Sequence, residues 1–157
     1  MYDPELFDAV YESPVGWLGI RLQGGSLKEV NWIERPCEIV RRHLPYFLVK
    51  NIITHLDAYF TKASSQKIPA LAPGGTVFQQ RVRGELLKIP FGSIKTYGQL
   101  AAVLKTSNRA IGQACRRNPI AILIPCHRVV AAGDIGGYMG NGHIHIKRWL
   151  LEHEGVY

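Results

Sequence analysis

The sequence predicts an α+β protein in two parts: an antiparallel meander with helices, then a mainly helical part that carries a helix-turn-helix. Three observations predict it. Short extended runs separated by Pro/Gly turns fill the first third, apolar residues recur at helical spacing from Phe47 onward, and Thr96 and Ser107 open two short helices in close succession. At 157 residues the chain is long enough for two small cores.

Taken in order, Leu6 to Tyr11, Trp17 to Leu22 and Leu27 to Ile33 are the extended runs. Turn formers join them at Ser13-Pro14-Val15-Gly16 and Gln23-Gly24-Gly25-Ser26. Cys37 to Leu44 predicts a helix ended by Pro45. Phe47 to Thr61 predicts a second, with Ile52, Ile53, Leu56, Tyr59 and Phe60 on one face. Lys62 to Gly75, with Ser64-Ser65, Pro69, Pro73 and Gly74-Gly75, reads as a linker. The expected division is a scaffold domain over residues 1–68, a linker over 69–75 and a second domain over 76–157.

In the second part, Thr76 caps a helix whose buried face is Phe78, Val82 and Leu86 and which ends before Pro90. Thr96 with Gln99 three residues on forms a capping box for Tyr97 to Leu104. Ser107 caps the next helix, which runs through Arg117 and is stopped by Asn118-Pro119. Lys105-Thr106-Ser107 joins the two with no glycine in the turn. Ile111, Ala114 and Cys115 share the apolar face of the second helix, with Arg109, Arg116 and Arg117 largely off it. Ile120 to Ile124 reads as a buried strand. Gly133, Gly136, Gly137, Gly140 and Gly142 then allow φ > 0 and a close backbone approach to a ligand. A last helix spans about Ile144 to His153, with Ile146, Trp149, Leu150 and His153 turned inward and Gly155 ending it.

Composition narrows the function classes. With 46% hydrophobic and 20% charged residues the chain is that of an ordinary globular protein. No run approaches the ~18 to 20 apolar residues of a membrane span and no signal peptide is visible at the start. The expected location is the cytoplasm, or the nucleus in a eukaryote. Cys37, Cys115 and Cys126 are odd in number and widely spaced, which argues against a disulfide framework and for a reducing compartment. The net charge of +7 fits an anionic partner, most simply nucleic acid. Cys37, His43 and His55 fall short of a four-ligand zinc set in the first domain, and neither a metal nor a cofactor is expected.

The chemistry centres on Ile124-Pro125-Cys126-His127-Arg128-Val129-Val130. A thiol is a poor nucleophile until ionised, and at a reference pKa of about 8.5 only a small fraction is thiolate at neutral pH. A base beside it changes that. From the residues alone two readings stand: an activated nucleophile, or a buried structural cysteine.

The wider pattern resembles the O6-alkylguanine-DNA alkyltransferases, also called methylated-DNA-protein-cysteine methyltransferases. The pieces come in family order: Phe78-Gln79-Gln80-Arg81-Val82, Ile89-Pro90-Phe91-Gly92, Tyr97-Gly98-Gln99-Leu100-Ala101, Arg109-Ala110-Ile111-Gly112 and Asn118-Pro119. The Pro-Cys-His-Arg core, Gly136-Gly137-Tyr138 and Lys147 to Gly155 complete the series, which covers about half the chain. The resemblance implies a ribonuclease-H-like first domain serving as a scaffold and a winged-helix-like second domain. It also implies irreversible, single-turnover transfer of an alkyl group from O6-alkylguanine to Cys126, with O4-alkylthymine as a further candidate substrate. The partner is then double-stranded DNA, and the protein a monomer that needs no membrane.

Carried over residue by residue, His127 is the base and Glu154 orients it. Tyr97 assists base rotation and hydrogen-bonds guanine N3. Arg109 fills the gap left by the flipped base, with Ala110 and Gly112 letting the helix approach the groove. Backbone carbonyls near Cys126 and Val129 accept from the guanine amine, Tyr138 walls the pocket, and Gly136 gives it room. Asn118 braces the helix pair against the active-site loop, Arg128 forms a structural ion pair, and Lys147 supports the loop. Met139 stands where some members place serine, so a hydroxyl contact to O6 is not carried over. The segment between Tyr97 and Arg109 is about two residues shorter than in many relatives, and the loop Asn141 to His145 is longer. Competing readings are a damage sensor that flips the lesion without transfer, a helix-turn-helix regulator, and a Cys-His hydrolase that turns over.

Overall fold

A computed structural model describes residues 7–34, 46–63, 68–139 and 143–157. Three antiparallel strands come first, β1 (Ala9–Ser13), β2 (Gly16–Gln23) and β3 (Ser26–Ile33), paired in the order β1-β2-β3. The tight turns at Pro14-Val15 and Gly24-Gly25 set this register, with Ala9 opposite Ile20 and Ile20 opposite Val30. Alternation then sends Leu18, Ile20 and Val30 to one buried side, and the register shift between Arg21 and Leu22 brings Leu27, opposite Leu22, onto it; each is no more than 1% exposed. Helix α1 (Tyr46–Thr61) contributes Ile52 and Leu56 to the buried set, while Ile53, Tyr59 and Phe60 are only half-buried. The helix expected over Cys37–Leu44 lies outside the described residues.

The outer edge of β3 is not left open. Leu27 exchanges backbone hydrogen bonds with Ala70 and Ala72 at 2.8 Å each, and Val30 does so with Pro119 and Ala121 at 2.9 and 2.8 Å. Unpaired edge groups are a liability, and these two short segments satisfy them. Part of the stretch read as linker is therefore pinned as a bridge at Leu71. By contact the chain forms two units, one taking the described part of Met1–Pro73 with Pro119–Leu123, the other Gly74–Asn118 with Ile124–Tyr157. Residues 119–123, inside the expected 76–157 span, thus belong with the first unit because β3 supplies their backbone partners.

That contact also corrects the strand expected over Ile120–Ile124. Only Ile120 bridges, to Val30, and the chain then turns. Leu123 N–H donates to Ala121 at 2.7 Å around Ile122, whose φ is +67°, and Cys126 N–H donates to Ile124 at 2.8 Å around Pro125. These are two γ-turns, the first in the form that strains a β-branched residue. Burial, not sheet pairing, explains the apolar run: Ile120, Ala121, Ile122 and Ile124 are at most 3% exposed.

The second unit opens with α2 (Val77–Leu86), followed by β4 (Lys95–Thr96), α3 (Tyr97–Leu104) and α4 (Asn108–Arg116). A single 3₁₀ turn (Cys126–Arg128), β5 (Val129–Val130) and α5 (Ile144–His153) complete it. Thr76 and Thr96 each cap with the reciprocal Gln box, and the Ser107 hydroxyl accepts from Ala110 N–H at 3.1 Å. The turn between α3 and α4 has no glycine, and Lys105 takes the left-handed cap at φ +53° in its place. Pairing of β4 with β5 is parallel, Lys95 opposite Val129, which sets the start of α3 beside the end of the Cys126 turn. Among the described residues no helix is long and apolar enough to cross a membrane.

Because the Thr96 hydroxyl accepts from Gln99 N–H at 3.1 Å in the first turn of α3, Thr96→Ala should lower the unfolding free energy by about 1 kcal/mol in urea titration.

Candidate active site

Cys126 begins the 3₁₀ turn immediately after the Pro125 bend and is 3% exposed. Burial pushes its thiol up to about 11, against the opposing pull of the Asn118 side-chain hydrogen bond and the Lys147 charge. At rest the group is a thiol. Asn118 holds this corner in three ways: its amide donates to Ile124 at 2.9 Å, its backbone N–H to Cys115 at 3.1 Å, and its side chain bonds the Cys126 sulfur.

His127 is fully buried, and its Nε2 hydrogen-bonds Glu154 Oε2. Glu154 caps the C-terminus of α5, where the helix dipole disfavours a carboxylate. Its other oxygen accepts from Arg128 Nε at 2.8 Å and from Gly92 N–H at 2.9 Å. Burial raises the Glu154 carboxyl, but the His127 and Arg128 contacts outweigh it and hold the group well below the usual carboxylate range. Burial pushes His127 below its ordinary value; the Glu154 hydrogen bond and charge oppose this, and Arg128 and Lys147 reinforce it.

Lys147 lies on α5 with no exposed surface, yet carries an ammonium that donates to Val129 O at 2.6 Å and Gly137 O at 2.9 Å. Burial draws it down to about 8, with Cys126, Cys115 and Asp134 pulling the other way. Its nitrogen stands 5.7 Å from the Tyr97 ring centroid. Tyr97 in turn packs over Gly136, where φ is +74° and a Cβ would come within 3.0 Å of the phenol ring.

A cleft of about 760 Å³ brings several of these groups to one surface, with Cys126, Tyr97, Arg109, Gly112, Tyr138 and Met139 in its walls. Arg109 is exposed at the start of α4, and Gly112 has nothing within 4 Å of where a Cβ would stand. Met139 presents its thioether from a left-handed backbone at φ +40°. Not every expected residue reaches the cleft. Ala110, Val129 and Gly136 are absent from its walls. Val129 is buried on β5 and its carbonyl accepts from Lys147 at 2.6 Å, which leaves the second of its two lone pairs for another donor.

Other groups escaped sequence reasoning. Cys115 shares the cleft with Cys126, and burial raises its thiol to about 12. Asn108, Gln113 and Arg116 line the same cleft from α4. Gly92 and Ile89 brace Glu154 and Arg128. The sequence motif Ile89-Pro90-Phe91-Gly92 marked the latter two, but only their backbone groups act, and no side-chain pattern announces that. Among the described residues no group of three or more His, Cys, Asp or Glu side chains is placed to hold a metal. Cys37 and His43 lie outside them.

Comparison with known proteins decides the family. Residues 77–156 match the model of the 6-O-methylguanine DNA methyltransferase DNA-binding domain. A methylated-DNA–protein-cysteine methyltransferase of Methanosarcina acetivorans is 36% identical over 96% of this chain and 99% of its own length. One from Sulfolobus acidocaldarius is 46% identical over 94% and 92%. The chain belongs to the methylated-DNA–protein-cysteine methyltransferase family. Its fold is likewise similar to the O6-methylguanine methyltransferase of Mycobacterium tuberculosis, with a TM-score of 0.79, 34% identity and 92% and 90% of the two chains covered. A structure of the same mycobacterial protein in complex with DNA gives 0.77 and 38% over the same shares. Membership makes this chain a methyltransferase enzyme with a DNA-binding domain, and its DNA-repair class follows from the same family.

The buried His127–Glu154 pair also couples stability to pH. Both groups have folded pKa values below their ordinary ones of 6.5 and 4.5, so their contribution is present above those values and is lost as pH falls through the folded ones. Thermal melts should show Tm dropping first below about pH 6.5 as His127 is forced to charge, then again below about pH 4.5 as Glu154 protonates. A Tm that stays level through both ranges would contradict the assignment.

Proposed function

We propose that this chain repairs DNA by direct reversal, taking the alkyl group from O6-alkylguanine in double-stranded DNA onto the sulfur of Cys126, once per molecule. The observation that carries the reading is a buried thiol opening on a cleft shared with Tyr97 and Arg109, backed by the buried His127–Glu154 pair. In the step, a sulfur–carbon bond forms as the carbon–O6 bond breaks, and the electrons of the latter leave with the guanine. The thiol proton passes to His127, directly or through one water, and the imidazolium finds Glu154 as its counter-charge. Tyr97 is a phenol held up at about 12, first by burial and then by the two cysteines, so it stays a donor for guanine N3.

The product is a thioether, whose carbon–sulfur bond is not cleaved by water or a neutral thiol, so the molecule is spent. Atom O6 is hidden inside a duplex, which requires the base to be flipped at a cost of a few kcal/mol. Helices α3 and α4 act as the helix-turn-helix of a winged-helix-like domain made of residues 74–118 and 124–157, and exposed Arg109 on α4 fills the gap. The meander up to residue 68 is a ribonuclease-H-like scaffold. The protein works as a monomer in the reducing interior of the cell. With no hydroxyl at Met139, O6 recognition falls to backbone groups; the Val129 carbonyl, which accepts from Lys147, keeps a lone pair for the guanine amine, and O4-alkylthymine is a second substrate to test.

A damage sensor would bind the lesion without transfer, and a hydrolase would turn over. Intact mass spectrometry after incubation with a duplex holding one O6-methylguanine should show a gain of one methylene mass on Cys126, absent from Cys126→Ala. Tight binding with unchanged mass favours the sensor instead. Separately, Arg109→Ala should slow transfer to duplex DNA by at least about tenfold more than reaction with free O6-benzylguanine, because only the duplex must be opened. Equal loss on both substrates would sink the base-flipping role.

A further inference from the structure

Glu154 faces two basic side chains, and only one of them belongs to the proton path. Oε2 takes His127, while Oε1 takes Arg128 Nε at 2.8 Å and Gly92 N–H at 2.9 Å. Arg128 is not free to leave: its Nη1 donates to Ile89 O at 2.7 Å and its guanidinium carbon lies 5.8 Å from the Phe91 ring centroid. The Glu154 and His127 side chains are fully inaccessible and that of Arg128 is 10% exposed.

We infer that Arg128 is a positioning residue of the transfer reaction, cancelling the charge of Glu154 so that His127 waits as an uncharged base. A lone buried carboxylate beside an imidazole draws a proton onto the ring, because an opposite charge at contact favours the charged form. A ring already charged cannot accept the proton of a thiol. With Arg128 on the second oxygen, carboxylate and guanidinium form a neutral unit and the imidazole has less to gain from protonation. The remaining charge facing His127 is Lys147, which acts in the same direction as Arg128, while Glu154 alone opposes both.

Transfer of the Cys126 proton to His127 then leaves the total charge of the site unchanged. It creates a thiolate near Lys147 and an imidazolium on Glu154, each with an opposite charge in reach. The same geometry explains the backbone at Gly92. At φ +81° it turns its N–H onto Oε1, and a Cβ there would stand 3.2 Å from the Glu154 carbonyl oxygen. The Ile89–Gly92 turn thus fixes both the carboxylate and its guanidinium partner, and leaves Oε2 directed at the ring.

This inference rests on the reading of His127 as the base, so the test separates the two. The state of the His127 ring is read without DNA, by ¹⁵N NMR titration of the histidine-labelled protein. A neutral ring at neutral pH is expected, with a midpoint that moves to higher pH in Arg128→Met and stays in place in Arg128→Lys. Alkyl-transfer rates should follow: the acid limb of the pH–rate profile shifts upward in Arg128→Met. In Arg128→Lys the limb stays and the plateau falls by up to about a hundredfold, because lysine cannot span Glu154 and Ile89 together. A charged ring in the unmodified protein at neutral pH, or an unmoved midpoint in folded Arg128→Met, overturns the inference. Should Arg128→Met fail to fold, the ring state of the unmodified protein still decides. Loss of methyl transfer in the unmodified protein would instead overturn the function reading and leave the ring titration standing as its own result.

Discussion

The buried carboxylate of Glu154 is the constraint on which the rest of the second unit depends. Removing an ionised carboxylate from water costs several kcal/mol unless donors replace the lost hydration. Here the donors come from separated parts of the chain: Gly92 from the turn after α2, and His127 and Arg128 from the turn that carries Cys126. A carboxylate at the end of α5 thus fastens segments up to 62 positions apart. The cysteine inherits its place because it stands next to one of those donors.

A second charge, on Lys147, plays a comparable part on the other side of the thiol. It ties Val129 and Gly137 together through their carbonyls and stands beside the Tyr97 ring. The thiol therefore lies in a site that is apolar enough to keep it protonated and yet bordered by a cation that welcomes the thiolate once formed. Such an arrangement suits a single-use acceptor. In the proposed reaction, reactivity is withheld until a substrate and a base act together.

Much of this was legible in advance where the signal is local. The three strands, the Thr76 and Ser107 caps, the capping box at Thr96 and the bounds of α5 all follow from side-chain periodicity and cap chemistry within a few residues. Reading the run Ile120–Ile124 as a strand failed because apolar composition reports burial and not pairing; β3 supplies partners only near Ile120, and the chain folds into γ-turns after it. Lysine at position 147 carried no sign of complete burial, since its partners are carbonyls that any residue could present. Gly92 was visible as part of a motif but its N–H contact to Glu154 was not.

The sequence by itself determined which chemical groups are available: one Cys-His pair, a carboxylate beyond the last helix, and a tyrosine and an arginine opening successive short helices. Their types are fixed by covalent chemistry and by short-range caps and turns, so they can be read without coordinates. Only the tertiary structure decided how those groups divide one carboxylate between them. Proximity in space depends on long-range packing and on backbone donors that have no residue signature. For that reason Arg128, next to His127 in sequence and a bland surface cation on composition alone, turns out to face the opposite oxygen of the same buried Glu154.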